Sequence, residues 1–191
     1  MVKAILDGRK TVTRRICKDA NDRTVPLNEF IDNEKRTYAI QYYSDKEHTQ
    51  PTCLCEISMP ICKGDILYVR ETWCKNGDTY LYKAGCLHLQ GNMWIKWHPS
   101  IHMPKSAARI FLRVTDVRVE RLQDITDKEA KKEGVIAETN NSGLMHKLLF
   151  LRLWDTTVDM ENHYMDHSWG SNPWVWVIEF ERISKEEAYE K

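Results

Sequence analysis

The sequence predicts an α+β fold built as a small mixed β-barrel with short flanking helices. Two observations point to the class: many short strand-like runs with few helical ones, and no strand–helix alternation of the kind that builds parallel sheets. A third points to the barrel. In residues 109–120 the apolar positions are first Ile110, Leu112 and Val114, then Val117 and Val119, so the phase passes from even to odd at Thr115-Asp116. Such a shift marks a β-bulge, the device by which a sheet curls.

The elements follow in order. Val2, Ile5 and Leu6 share one face of a short helix that closes at Gly8 and should pack on the barrel. Residues 18–62 are polar and weakly patterned. They read as an excursion from the core, a hairpin with strands at 38–43 and 53–57. After the turn Lys63-Gly64-Asp65, residues 66–73 form a strand with Leu67, Val69, Glu71 and Trp73 on one face, and 79–83 a short second one. Thr126 and Glu129 have capping-box spacing, opening a helix that should stop at Gly134. A further helix over 144–158 carries Leu144, Leu148, Leu151 and Trp154 as its packing stripe. In the last strand, 174–180, Trp174, Trp176, Ile178 and Phe180 line one face and Val175, Val177 and Glu179 the other. A tail follows from about residue 184.

A chain of 191 residues fits one domain. It has no apolar run that would span a bilayer and no secretory leader, so the expectation is a cytoplasmic protein with reduced cysteines and no membrane partner. Cys53, Cys55 and Cys62, with Cys17, Cys74 or His48, lack the paired spacing of zinc ribbons, and any zinc is expected to be incidental. His163 and His167 lack the adjacent Glu of a zinc protease and read as surface residues. No metal or cofactor is expected.

Lys+Arg and Asp+Glu both number 28, which argues against broad nonspecific duplex binding. Against that neutral background, Gly8-Arg9-Lys10-Thr11-Val12-Thr13-Arg14-Arg15 is a concentrated basic corner with two hydroxyls. Cations and hydroxyls at a helix-to-strand turn suit a phosphate or another anionic group.

Several motifs occurring together resemble the ASCH domain family, a branch of the PUA-like β-barrels, in the manner of its phage and prophage members. They are the corner at 8–15, Gly64-Asp65-Ile66-Leu67-Tyr68-Val69-Arg70-Glu71-Thr72-Trp73, Pro99-Ser100-Ile101-His102-Met103-Pro104 with Ala108-Arg109-Ile110, the helix at 125–134, and Asn172-Pro173-Trp174-Val175-Trp176-Val177-Ile178-Glu179-Phe180. The resemblance runs to about Arg182, excepting 18–62. It implies a barrel whose cleft under the basic corner binds RNA or nucleotides. Some small bacterial members are amidohydrolases that deacetylate N4-acetylcytidine with a Lys, a Thr three residues on, and a Glu on the following helix; the matching residues here are Lys10, Thr13 and Glu133. Members usually carry a strand ahead of this first helix. Its absence here would leave an unpaired sheet edge.

Two function classes follow. One is a module binding RNA or a modified nucleoside through Arg9, Lys10, Arg14 and Arg15, with Arg70, Glu71, Trp73 and His102 near the cleft and Trp73 stacking on a base. The other is an amidohydrolase acting on an N4-acylated cytidine-type nucleoside. There Thr13 is the nucleophile and Lys10 a base whose pKa burial and neighbouring cations lower. Glu133, in the last turn of its helix where the macrodipole disfavours negative charge, is the proton donor. A partner-binding phage protein is a third class.

Overall fold

The structure is a computed structural model describing residues 1–20, 24–86, 95–136, 145–157 and 167–190. Its centre is an antiparallel sheet of β1 (Val12–Ile16), β9 (Trp174–Ile183), β8 (Phe111–Arg121) and β5 (Ile66–Tyr68), in the order β1-β9-β8-β5. The β8–β9 register slips between Val114 and Asp116, where the change of phase predicts a bulge. There the sheet bends into a half-barrel. Beyond the bulge β8 has outrun β5, and the Asn28 side chain takes over its other edge. Asn28 donates to the Val119 carbonyl and accepts from the Val119 amide, each at 2.8 Å.

Both faces of the sheet are covered. On one, Trp176 and Ile178 of β9 and Val117 and Val119 of β8 pack on Tyr38, Ile40, Met59 and Cys62. These come from or flank a three-stranded antiparallel sheet of β2 (Thr24–Asp32), β3 (Thr37–Tyr43) and β4 (Pro51–Ser58). The polar stretch 18–62 is thus not an excursion from the core. It forms a meander and the turn after it, which together supply four of the ten buried residues of a core cluster, with Tyr38 and Ile40 fully buried. The polar residues of this stretch, dense enough to mask its apolar alternation, lie largely on the far face and on β4.

On the other face α2 (Asp127–Lys132) and α3 (Met145–Asp155) enclose Val12, Val175 and Val177 with Leu122, Ile125, Ala130, Phe150 and Trp154. The Thr126/Glu129 capping box forms in both directions. The α3 stripe differs from the expected one: Phe150 and Trp154 are buried, Leu148 is exposed, and Leu144 lies outside the described residues.

α1 (Val2–Leu6) is held through Ile5, which packs on Ile110, Leu112 and Phe180 with Val2 and Leu6 beside it. Burying Ile5 contributes roughly 1.5–3 kcal/mol, which offsets the poor intrinsic stability of so short a helix. Gly8, at φ +70°, ends it.

The run 66–73 is not one strand. The chain leaves the sheet after Tyr68, and Trp73 opens a separate hairpin of β6 (Trp73–Asn76) and β7 (Thr79–Tyr82). Glu71, which alternation puts beside Leu67 and Val69, is a buried carboxylate that needs a cation. It meets Arg109 through two hydrogen bonds of 2.8 Å. The residues after 184 include α4 (Lys185–Tyr189), capped by Ser184 and Glu187, whose Tyr189 ring meets Phe111 at 5.8 Å. Among the described residues no helix is long and apolar enough to cross a membrane.

Gly134 is where α2 meets the N-terminal corner. Its φ is +89°, and a Cβ there would come within 2.7 Å of Ala4 Cβ and 3.0 Å of Lys10 Cβ. Gly134→Ala should therefore cost about 1–3 kcal/mol in urea unfolding, from left-handed strain and the clash together. An unchanged midpoint would mean that the corner and α2 are not packed this closely.

Candidate functional site

The end of α2 and the basic corner are joined by backbone before any side chain is considered. The Thr11 amide donates to the Lys132 carbonyl at 2.9 Å, and Lys10 and Glu133 form an isolated antiparallel bridge. This puts the Lys10 and Glu133 side chains against each other across 123 residues of sequence.

Lys10 and Glu133 are both almost fully buried. Lys10 Nζ donates to Glu133 Oε2, to the Val12 carbonyl at 2.8 Å and to the Glu133 carbonyl at 3.2 Å, so its three donors are engaged. Burial holds the Lys10 ammonium below its ordinary pKa, and Arg15 and Arg14 push the same way; the Glu133 carboxylate opposes them without cancelling the shift.

Arg14 shares the inward face of β1 with Val12, two residues away. Its guanidinium is buried, with NH1 3.3 Å from Glu133 Oε1 and NH2 3.4 Å from Glu120 and 3.5 Å from Glu129. Arg118 binds Glu120, Glu129 and Glu179 on the outer side. Burial pushes the Glu129 carboxyl up, but the Thr126 amide and hydroxyl together with Arg14 and Arg118 outweigh this and hold it below the usual range. The Arg14 Nε, buried, has no hydrogen-bond partner among the described residues.

Thr13, Arg14, Arg15 and Glu133 line one cleft, closed by Phe150, Leu153, Trp154 and Thr157 of the α3 side and by Met1. Its volume is about 20 Å³, room for one water. Small-molecule sites run to about 300 Å³ or more, so a nucleoside enters only if α3 or Met1 moves aside.

The structure thus brings Lys10 against Glu133, and Glu133 lines the cleft with Thr13, Arg14 and Arg15, whereas Lys10 is not part of the lining. The two arginines differ in kind: Arg15 is exposed, whereas Arg14 lies inside and is unavailable as a surface phosphate contact. Arg9 is partly exposed, tied to Asp7 and to the Gly134 carbonyl, each at 2.9 Å.

The remaining four expected residues do not line this cleft. Glu71 is held by Arg109, whose guanidinium stacks 4.1 Å from the Tyr82 ring centroid. Arg70 donates to the Ile101 carbonyl and the Tyr68 hydroxyl. Trp73 packs between Tyr80 and His98 (centroids 5.6 and 5.1 Å), so its ring already has partners. His102 is exposed in a loop turn. Cys53 and Cys55 are exposed on β4, while Cys17, Cys62 and Cys74 are buried. Among the described residues no group of three or more His, Cys, Asp or Glu is placed to hold a metal; His163 lies outside them.

Sequence reasoning missed the interior role of Arg14 and the ion pairs of Arg118. The signal for Arg14 was present: a strand that buries Val12 turns Arg14 the same way. Comparison with protein-family models, with curated proteins and with solved structures finds no match.

The depressed Lys10 pKa carries a stability signature. Above its folded pKa the native protein has released a proton that the unfolded chain keeps up to 10.5, so unfolding takes protons up and this group's contribution to stability rises with pH over that window. The stability of the wild type minus that of Lys10→Met, measured by urea unfolding from about pH 8 upward, should increase with pH. A difference that falls would mean that the ammonium is stabilised by its site.

Proposed function

We propose that the chain is an ASCH-type, PUA-like domain that takes an N4-acylated cytidine-type nucleoside at the cleft lined by Thr13 and Glu133, with Lys10 beside it, and hydrolyses its amide. One observation carries the reading: Lys10 and Glu133, far apart in sequence, meet in a buried contact beside the cleft that Thr13 lines. The resemblance of the motifs to the family assigns roles to these same three residues.

The chemistry balances with these groups. Thr13 Oγ attacks the acyl carbon as its proton passes to Lys10 Nζ, which must be uncharged and must give up one hydrogen bond, that to the Val12 carbonyl being nearest in sequence to Thr13. Proton transfer within the Lys10–Glu133 pair, from ammonium to carboxylate, would supply both the uncharged amine and a protonated Glu133. Glu133 then protonates the departing N4 amine as the C–N bond breaks, leaving Thr13 as an acyl ester. Water, deprotonated by the same pair, cleaves the ester to free acid and restores the hydroxyl.

A second reading, a module binding RNA or a nucleotide without turnover, is favoured by the saturated donors of Lys10 and by the small cleft. In it Arg9 and Arg15 supply the phosphate contacts. Incubating the protein with N4-acetylcytidine and separating the products chromatographically decides between the two. The hydrolase reading expects cytidine and acetate, with turnover reduced by on the order of 100-fold or more in Thr13→Ala. Folded wild type that binds the nucleoside but leaves it intact would leave only the binding module.

A further inference from the structure

Away from the cleft, the outer face of the β2-β3-β4 sheet carries a groove of about 570 Å³. Its origin lies in the strand register. Between Leu27 and Asp32 the β2–β3 pairing slips, so β2 bulges where Phe30 stands. On β3 the small side chain of Ala39 forms the floor, and on β4 Leu54 forms the opposite wall. Ala39 is 5 % exposed, whereas Phe30 is 53 % and Leu54 58 % exposed, so two large apolar side chains stand open on either side of a sunken floor.

The rim is acidic. Glu29, Asp32 and Glu56 border the groove, and the one cation among its described lining residues, Lys35, lies 3.5 Å from Asp32.

We infer that this groove is a docking surface for an extended basic segment of a partner protein that crosses it, with an apolar residue seated over Ala39 between Phe30 and Leu54 and lysines or arginines meeting Glu29 and Glu56. The carboxylate rim repels nucleic acid, so this surface is separate in chemistry from the basic corner. The open form of the groove suits a chain passing across it, since enclosed sites hold small molecules.

The test uses two labelled octapeptide amides, (Lys-Val)4 and (Glu-Val)4, titrated with the full chain and followed by fluorescence anisotropy. The lysine peptide should bind at least tenfold more tightly. Glu29→Lys with Glu56→Lys should reverse the preference, and Glu186→Lys with Glu190→Lys, an exposed acidic pair on and after α4, should leave it unchanged. Leu54→Ser should weaken the lysine peptide without changing the melting temperature, because Leu54 is exposed. Equal affinity for the two peptides, no binding of the lysine peptide at millimolar protein, or the same loss from the Glu186/Glu190 reversal would overturn the proposal. So would sedimentation showing a dimer that Leu54→Ser dissociates, since a second copy of the chain would then cover the groove.

Discussion

The buried pair of Lys10 and Glu133 is the interaction on which the candidate site and the joining of the N-terminal corner to α2 both rest. Two charges out of water are costly, and the contact persists only because each has further partners: the Val12 and Glu133 carbonyls for Lys10, and Arg14 for Glu133. The backbone bridge at Lys10–Glu133 and the close packing of Gly134 on Ala4 fix the geometry, so the two side chains have no freedom to part without opening the corner. Structural lock and proposed chemistry therefore use the same atoms. A substitution made to probe turnover also removes part of the fold, and stability must be measured beside activity.

The surrounding charges show why the corner is not a simple phosphate patch. Its cations divide between solvent, where Arg15 lies, and interior, where Lys10 and Arg14 are matched by Glu133, Glu120 and Glu129. Interior arginine sets up an orphan donor at Nε in the wall of a cleft with room for one water, an arrangement that costs stability unless something accepts that hydrogen bond.

Much of the fold was legible because it depends on local pattern. The bulge at Thr115-Asp116, the Thr126/Glu129 capping box, the Gly8 stop and the two faces of β9 all follow from alternation or spacing within a few residues. Strand β2 was not legible, because Asn28, Glu29 and Asp32 interrupt its apolar alternation and one of them, Asn28, is spent on capping the edge of β8. The break after Tyr68 was hidden for a different reason. Alternation places Glu71 on an apolar face, and only the position of Arg109, 38 residues on, explains where that carboxylate goes. For the site, Lys10, Thr13 and Glu133 were named from motif resemblance, whereas spacing alone could not bring Glu133 to Lys10, the one contact of the three that forms. Arg70, Glu71 and Trp73 were placed near the cleft by a strand running to Trp73, but the strand ends at Tyr68.

A double-mutant cycle on Lys10→Met and Glu133→Gln, read by urea unfolding, tests the central claim most directly. Glu133→Gln leaves Lys10 buried without its counter-charge, while Arg14 keeps Glu120 and Glu129, and should cost about 3–5 kcal/mol. Removing both partners should cost clearly less than the two single changes added together, with a coupling of about 1–3 kcal/mol. Additivity to within about 0.5 kcal/mol would show that the two side chains do not interact in the folded protein and would contradict the account.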